Sequence, residues 1–185
     1  MIKITFITGN PKKVQSAQAA LDKFDIKVLQ EKIDTPEIQD KDIKKVAEYS
    51  AKFAADSLKK EVIKVDVGFE IEALNGFPGP FSKFINVWLI PEKILKLLDG
   101  EKNRSAKFID VVAYCEPNKE PVSFVAETKG VMAIAPSGEN GWGIDKIFIP
   151  QGYKVTLASL PDEERVKVWN TEHWQTLAQY LTKGK

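Results

Sequence analysis

The sequence predicts one mixed α/β domain, and three observations carry that expectation. Strand-like and helix-like segments alternate through the first half of the chain, whereas Phe108–Tyr114 and Val122–Ile134 are two long strand-like runs joined only by the turn EPNKEP. The 185 residues suffice for one sizeable hydrophobic core. Apolar residues make up 43% of the chain and charged residues 29%, the balance of a globular protein rather than a disordered or membrane-embedded one. A mixed sheet ending in a long antiparallel ribbon is the simplest architecture for that pattern.

Each element has a local reason. Ile2–Ile7 is β-branched and loosely alternating, hence a strand. Pro11 suits the first turn of a helix, where its missing N–H costs nothing. Val14, Ala17, Leu21 and Phe24 then form an apolar helical stripe. Ile26–Leu29 reads as a second strand, and EKIDTPEIQDKD as a polar, Pro-broken loop. Ile43, Val46, Ala47, Ser50, Ala51 and Ala54 define one face of a second helix. Val62–Asp66 reads as a short strand, Phe69–Leu74 as another, and NGFPGP as a loop of turn formers. Pro91–Leu98 is a short helix stopped by Asp99 and Gly100. APSGENGWG is a loop. Pro161 opens a last helix, with Val166, Trp169, His173, Leu177 and Tyr180 along one side and Trp174 nearby.

The composition excludes several classes. With 27 basic and 26 acidic residues, no bulk electrostatic attraction for nucleic acid is expected. The chain enters a strand at once, so no leader is expected, and no run approaches a membrane span. Cys115 stands alone, which excludes an intramolecular disulfide and fits the cytoplasm; its apolar surroundings point to inert burial.

Four loops could carry chemistry. Thr8-Gly9-Asn10 joins a strand to a helix whose free N–H groups suit an anion, and Lys12 and Lys13 add charge. Glu37 follows Pro36 on a stiff loop. Asp66 ends an apolar strand, where open α/β sheets place their ligands. Trp142 lies between two glycines, free to stack on a planar ligand, with Asp145 close by. Each has a plainer alternative: a solvated lysine pair, a surface glutamate, a turn-forming aspartate, a loop-anchoring tryptophan.

Together, TGNPKK, KIDTPEIQ, DVGFEIEALNGFPGP and GWGIDKIFIPQGYKVTLASLP resemble the house-cleaning inosine/xanthosine triphosphate pyrophosphatases, the Ham1-like family, in order from Ile4 to about Val168. The resemblance implies an elongated α/β sheet in two lobes of a single domain, residues 1–185, with a central nucleotide cleft, usually in a homodimer. It implies Mg²⁺-dependent hydrolysis of a nucleoside triphosphate to monophosphate and pyrophosphate. Thr8, Asn10 and Lys13 match its phosphate-binding positions, with Lys13 also catalytic. Glu37 matches a metal ligand, and Asp66 a metal ligand that also polarises water. Trp142 and Asp145 match base-facing positions, and Arg165 stands where the family keeps a lysine.

The chain also departs from the family pattern. An expected glutamate is Ser16, the acid before Asp66 is Val65, and the hydroxyl after it is Val67. A lysine of the second helix is Ser50, and Lys52 lies roughly 200° away around that helix. A Ser-His-Arg signature reads Trp169-Asn170-Thr171, leaving Asn170 as a substrate-binding candidate. Trp169 and His173, on the last helical stripe, are expected to pack. A nucleoside triphosphate pyrophosphatase of altered base specificity is one expectation; the other is a nucleotide-binding module that has lost turnover.

Overall fold

A computed structural model describes residues 1–183. Its sheet has seven strands in the order β2 (Ile26–Glu31), β1 (Ile2–Ile7), β3 (Val62–Ile71), β5 (Ser105–Cys115), β6 (Val122–Met132), β7 (Phe148–Pro150), with β4 (Pro78–Gly79) paired to β3. Two compact units divide the chain: Met1–Asp66, Asp110–Ala126 and the segment from Thr171 form the first, Val67–Ile109 and Glu127–Asn170 the second.

In the first unit, β1 (Ile2–Ile7) pairs in parallel with β2 (Ile26–Glu31), from Ile2↔Ile26 to Ile7↔Glu31. Helix α1 (Pro11–Leu21) is the crossover that a parallel pair requires. β1 also pairs in parallel with β3 (Val62–Ile71), Thr5 facing Val62. Ile4 and Phe6 alternate into the core, and Ala17 and Leu21 of α1 are fully buried as well. Helix α2 (Ile43–Leu58) presents Ala47, Ala51, Ala54 and Ala55, all fully buried, a flat face that allows close packing. Helix α6 (Glu172–Thr182) closes the core with Trp174 set edge-on to Phe6 at 6.3 Å, and Tyr180 against Tyr114 and Phe124, each at 5.6 Å.

The second unit is built around three phenylalanines. Phe69 of β3, Phe108 of β5 (Ser105–Cys115) and Phe148 of β7 (Phe148–Pro150) have ring centroids 4.6–5.6 Å apart. β6 (Val122–Met132) pairs antiparallel with β7, and a Cβ at Gly130 would run into Ile149 O and the Phe148 ring. β4 (Pro78–Gly79), α3 (Ser82–Trp88), α4 (Pro91–Lys96) and α5 (Asp162–Val168) complete the unit.

The mixed α/β class and the β5–β6 neighbour pair agree with the sequence. Three expectations need correction. Val62–Asp66 and Phe69–Leu74 are one strand, since Gly68 stays in the pleat beside Gly79 O, and only Glu72–Leu74 forms a 3₁₀ turn. Helix α3 was not foreseen, because its pattern is inverted: Phe84, Val87 and Trp88 are exposed and only Ser82 and Ile85 are buried. The single last helix is two. Trp169 leaves helical geometry (ψ 127°) and packs edge-on to Phe108 at 5.1 Å, partly buried against the second unit's core. Trp169 and His173 are both packing residues, as expected, but on different elements.

Candidate functional site

The Thr8–Asn10 turn is a self-supporting cap. Asn10 N–H donates to Thr8 Oγ1 (3.1 Å), and Lys12 N–H donates to Asn10 Oδ1 (3.0 Å). Pro11 stands at the first helical position, so α1 starts with its dipole facing the turn. From the third helical position Lys13 reaches across to β3, where its Nζ donates to Val65 O at 3.1 Å. Burial holds this lysine below its ordinary pKa, against the charges of Asp66, Asp110 and Glu37; Lys64 adds to the lowering.

Asp66 follows that carbonyl. Its Oδ2 is buried and has no hydrogen-bond partner among the described residues. Burial raises its pKa, while Lys64 and Lys13 oppose the rise. An orphaned carboxylate oxygen beside two ammonium groups is a donor waiting for a cation or a proton.

Glu37 is exposed, but its loop is held from two sides. Lys64 Nζ donates to Thr35 Oγ1 at 2.9 Å, and the fully buried Ser50 donates from α2 to Pro36 O at 3.1 Å. Ser50, read from sequence as a missing lysine, is therefore a loop anchor. Lys52 is no substitute, since it pairs with Glu120.

Two members of this group escaped the sequence reading. Lys64 carries no distinguishing signal within the run Val62–Asp66. Asp110, on β5, is partly buried, and burial pushes its carboxyl up to about 6 against the charge of Lys13. The available signal was a lone charge inside FIDVVAYC. Ser16 is exposed on α1, and Val65 and Val67 are apolar contacts.

The second unit holds the other candidates. Trp142 is 59% exposed. Its backbone N–H donates to Asp145 Oδ2 (2.9 Å), which also receives Arg165 Nη2 at 3.2 Å. Asp145 is buried on the turn Ile144–Lys146, whose Ile144 N–H is capped by Asn86 Oδ1 at 2.9 Å. Burial raises the Asp145 pKa; the Trp142 N–H and Arg165 oppose that rise. Gly141 has φ 75°, and a Cβ there would strike both the carboxylate and the guanidinium. The loop therefore displays an indole face on a rigid base. Asn170 lies between α5 and α6, with its N–H on Thr128 Oγ1 (3.0 Å) and its amide nitrogen donating to Glu127 O (3.4 Å). A cavity of about 600 Å³ in this unit, lined by Glu70, Lys107, Glu127 and Lys129 among others, contains none of the predicted residues. Its central lysine is already paired, Lys107 lying 2.6 Å from Glu127 and 3.6 Å from Glu70.

A model of the Ham1 family matches residues 4–172. The chain belongs to the Ham1 family. It is 46% identical over 167 residues to the dITP/XTP pyrophosphatase of Methanopyrus kandleri, covering 90% of this chain and 89% of that one. With the dITP/XTP pyrophosphatase of Methanosarcina acetivorans it shares 42% over 168 residues, covering 91% and 90%. The HAM1 protein structure from Coxiella burnetii superposes with TM-score 0.83 at 26% identity, covering all of both chains. The Staphylococcus aureus Ham1 protein gives 0.81 at 27% identity, covering 98% of each.

Proposed function

We propose that this Ham1 protein hydrolyses deaminated purine nucleoside triphosphates, dITP and XTP among them, to the monophosphate and pyrophosphate. The observation that carries the reading is Lys13. It projects from a phosphate-type turn onto the carbonyl before Asp66, in a chain closely similar to dITP/XTP pyrophosphatases. Thr8, Asn10 and the α1 N-terminus bind phosphate oxygens through N–H and hydroxyl groups, and Lys13 neutralises charge developing on them. A water oxygen bonds to the α-phosphorus, the bridging bond to the β-phosphate breaks, and pyrophosphate leaves. Asp66 orients that water and accepts its proton.

The carboxylates of Asp66 and Glu37 fit Mg²⁺. They offer only hard oxygen donors, and Asp66 Oδ2 is buried without a partner. Among the described residues no three acidic, histidine or cysteine side chains make a metal cage. Mg²⁺ needs none, since it takes one or two carboxylates with water and phosphate oxygens. Bound there, it would polarise the phosphoryl oxygens and activate water.

In the second unit Trp142 offers a stacking face to a base, with Asp145 and Arg165 holding its loop and Asn170 close to β6. We further propose a homodimer and a cytoplasmic location. The exposed Phe84, Val87 and Trp88 of α3 support the first, the buried unpaired thiol of Cys115 the second. Among the described residues no helix is long and apolar enough to cross a membrane. The test of the main reading is incubation with dITP or XTP and Mg²⁺, with separate assays for pyrophosphate and orthophosphate. Stoichiometric pyrophosphate is expected. Tight binding with no turnover would favour a nucleotide-binding module instead.

A further inference from the structure

One charged residue near Lys13 has no part in the scheme above. Asp110 sits on β5, a sheet neighbour of β3. β3 leaves the first unit after Asp66, and β5 enters that unit at Asp110. Asp66 and Asp110 therefore stand at the same end of that unit's part of the sheet, next to Val65, whose carbonyl receives Lys13 Nζ. The charges of Lys13 and Asp110 act on one another, and Asp110 is partly buried, so solvent screens the pair incompletely.

Three carboxylates act on Lys13: Asp66, Asp110 and Glu37. Two of them are assigned above to a cation, which would share their charge. Asp110 is the one left to the lysine. The strand position before Asp66 is the apolar Val65, so no acid comes from β3 there.

We propose that Asp110 is a positioning residue for Lys13, the counter-charge on the adjacent strand that keeps the ammonium drawn to Val65, in the middle of β3, and ready for phosphate. This rests on the reading of Lys13 as a phosphate ligand. It also makes a prediction of sign. A bystander carboxylate near an anion site repels the anion, so removing it tightens binding. A carboxylate acting through Lys13 does the opposite, because its loss frees the lysine.

The experiment measures calorimetric affinity for inorganic tripolyphosphate at low salt without divalent cations, with folding checked by circular dichroism. The proteins are wild type, Asp110→Asn, Lys13→Ala and the double variant. Asp110→Asn is expected to weaken binding about fivefold, the upper end for a partly exposed charge pair. In the Lys13→Ala background the same substitution is expected to leave affinity unchanged or improve it. Unchanged or tighter binding by Asp110→Asn alone overturns the proposal, as does equal weakening in both backgrounds. If Lys13→Ala binds as wild type does, the phosphate reading of Lys13 fails and Asp110 falls with it. If only Asp110→Asn is silent, that reading stands and this inference does not. Should Asp110→Asn not fold, Asp110→Ser is read by the same criteria.

Discussion

Lys13 is tied to the main chain of Val65, not to its side chain: the Nζ–O distance is 3.1 Å. The absence of an acid at position 65 therefore leaves the lysine's anchor intact, because a carbonyl is present whatever the residue. Lys13→Ala is expected to weaken triphosphate binding roughly 10- to 100-fold, the range of a lost hydrogen bond to a charged partner. Nucleoside binding should hardly change. Titration of both ligands checks this, and equal losses would mean that the turn itself has collapsed.

Asp66 should separate activity from stability. Asp66→Asn is expected to lower Mg²⁺-dependent pyrophosphate release by at least ~10²-fold, as for loss of a general base. Burial raises the Asp66 pKa, so its charge opposes folding at neutral pH. The variant should melt at the same temperature as wild type or higher. Wild-type turnover by Asp66→Asn would remove this residue from the mechanism.

Ser50 predicts a remote effect on the metal. Its hydroxyl holds Pro36 O, next to Glu37, and the side chain is fully buried. Ser50→Ala removes that hydrogen bond, at a net cost of about 1 kcal/mol. The Mg²⁺ concentration for half-maximal activity should rise, in the same direction as for Glu37→Gln. Superimposable magnesium titrations for Ser50→Ala and wild type would separate the loop anchor from the metal.

What was legible in the sequence was what is local. The Thr8–Asn10 turn, the Pro11 start and the placing of Lys13 follow from adjacent residues, and the structure has the capping bonds they imply. Asp66 stood out as the acid closing an apolar run, although the strand does not end there: β3 continues through it to Ile71. Ser50, Lys64 and Asp110 act through partners 14, 29 and 97 positions away respectively, which no local pattern reveals. The break at Trp169 was hidden for the same reason. Helical spacing fits an unbroken stripe, but the indole's partner is Phe108, on a strand far back in the chain.

His173 gives the fold a pH dependence. It is buried on α6, its Nδ1 has no partner among the described residues, and burial lowers its pKa to about 4 from 6.5. The unfolded chain takes up this proton first as pH falls. The neutral form's contribution is full above about pH 6.5, declines between 6.5 and 4, and levels off below. The loss at the bottom is on the order of 3 kcal/mol. Asp110, raised to about 6, titrates in the same window with the opposite sign, because its folded form binds the proton more tightly. The measurement is therefore a difference: denaturant stability of wild type minus His173→Leu from pH 4 to 7. Parallel curves would rule out the histidine as the source.

The last prediction concerns the base. A stacking indole accepts every base, since each has a π-face, whereas hydrogen bonds to the edge discriminate. Trp142 is largely exposed, but the polar candidates for reading a base in this unit are engaged with protein partners. Asp145 Oδ2 receives the Trp142 N–H and Arg165, and the Asn170 amide donates to Glu127 O. Asp145 thus supports the loop that carries the indole. Trp142→Ala is expected to lower kcat/KM for dITP, XTP, dATP and dGTP by similar factors, roughly 5- to 100-fold. Asp145→Ala should lower all four as well, and combining the two should cost little more than either alone, because both act through one loop. Selectivity for the deaminated bases should stay below ~10³, about 4 kcal/mol of differential transition-state binding. A larger preference that vanishes in Asp145→Ala would assign edge recognition to that carboxylate and overturn its role as a loop support.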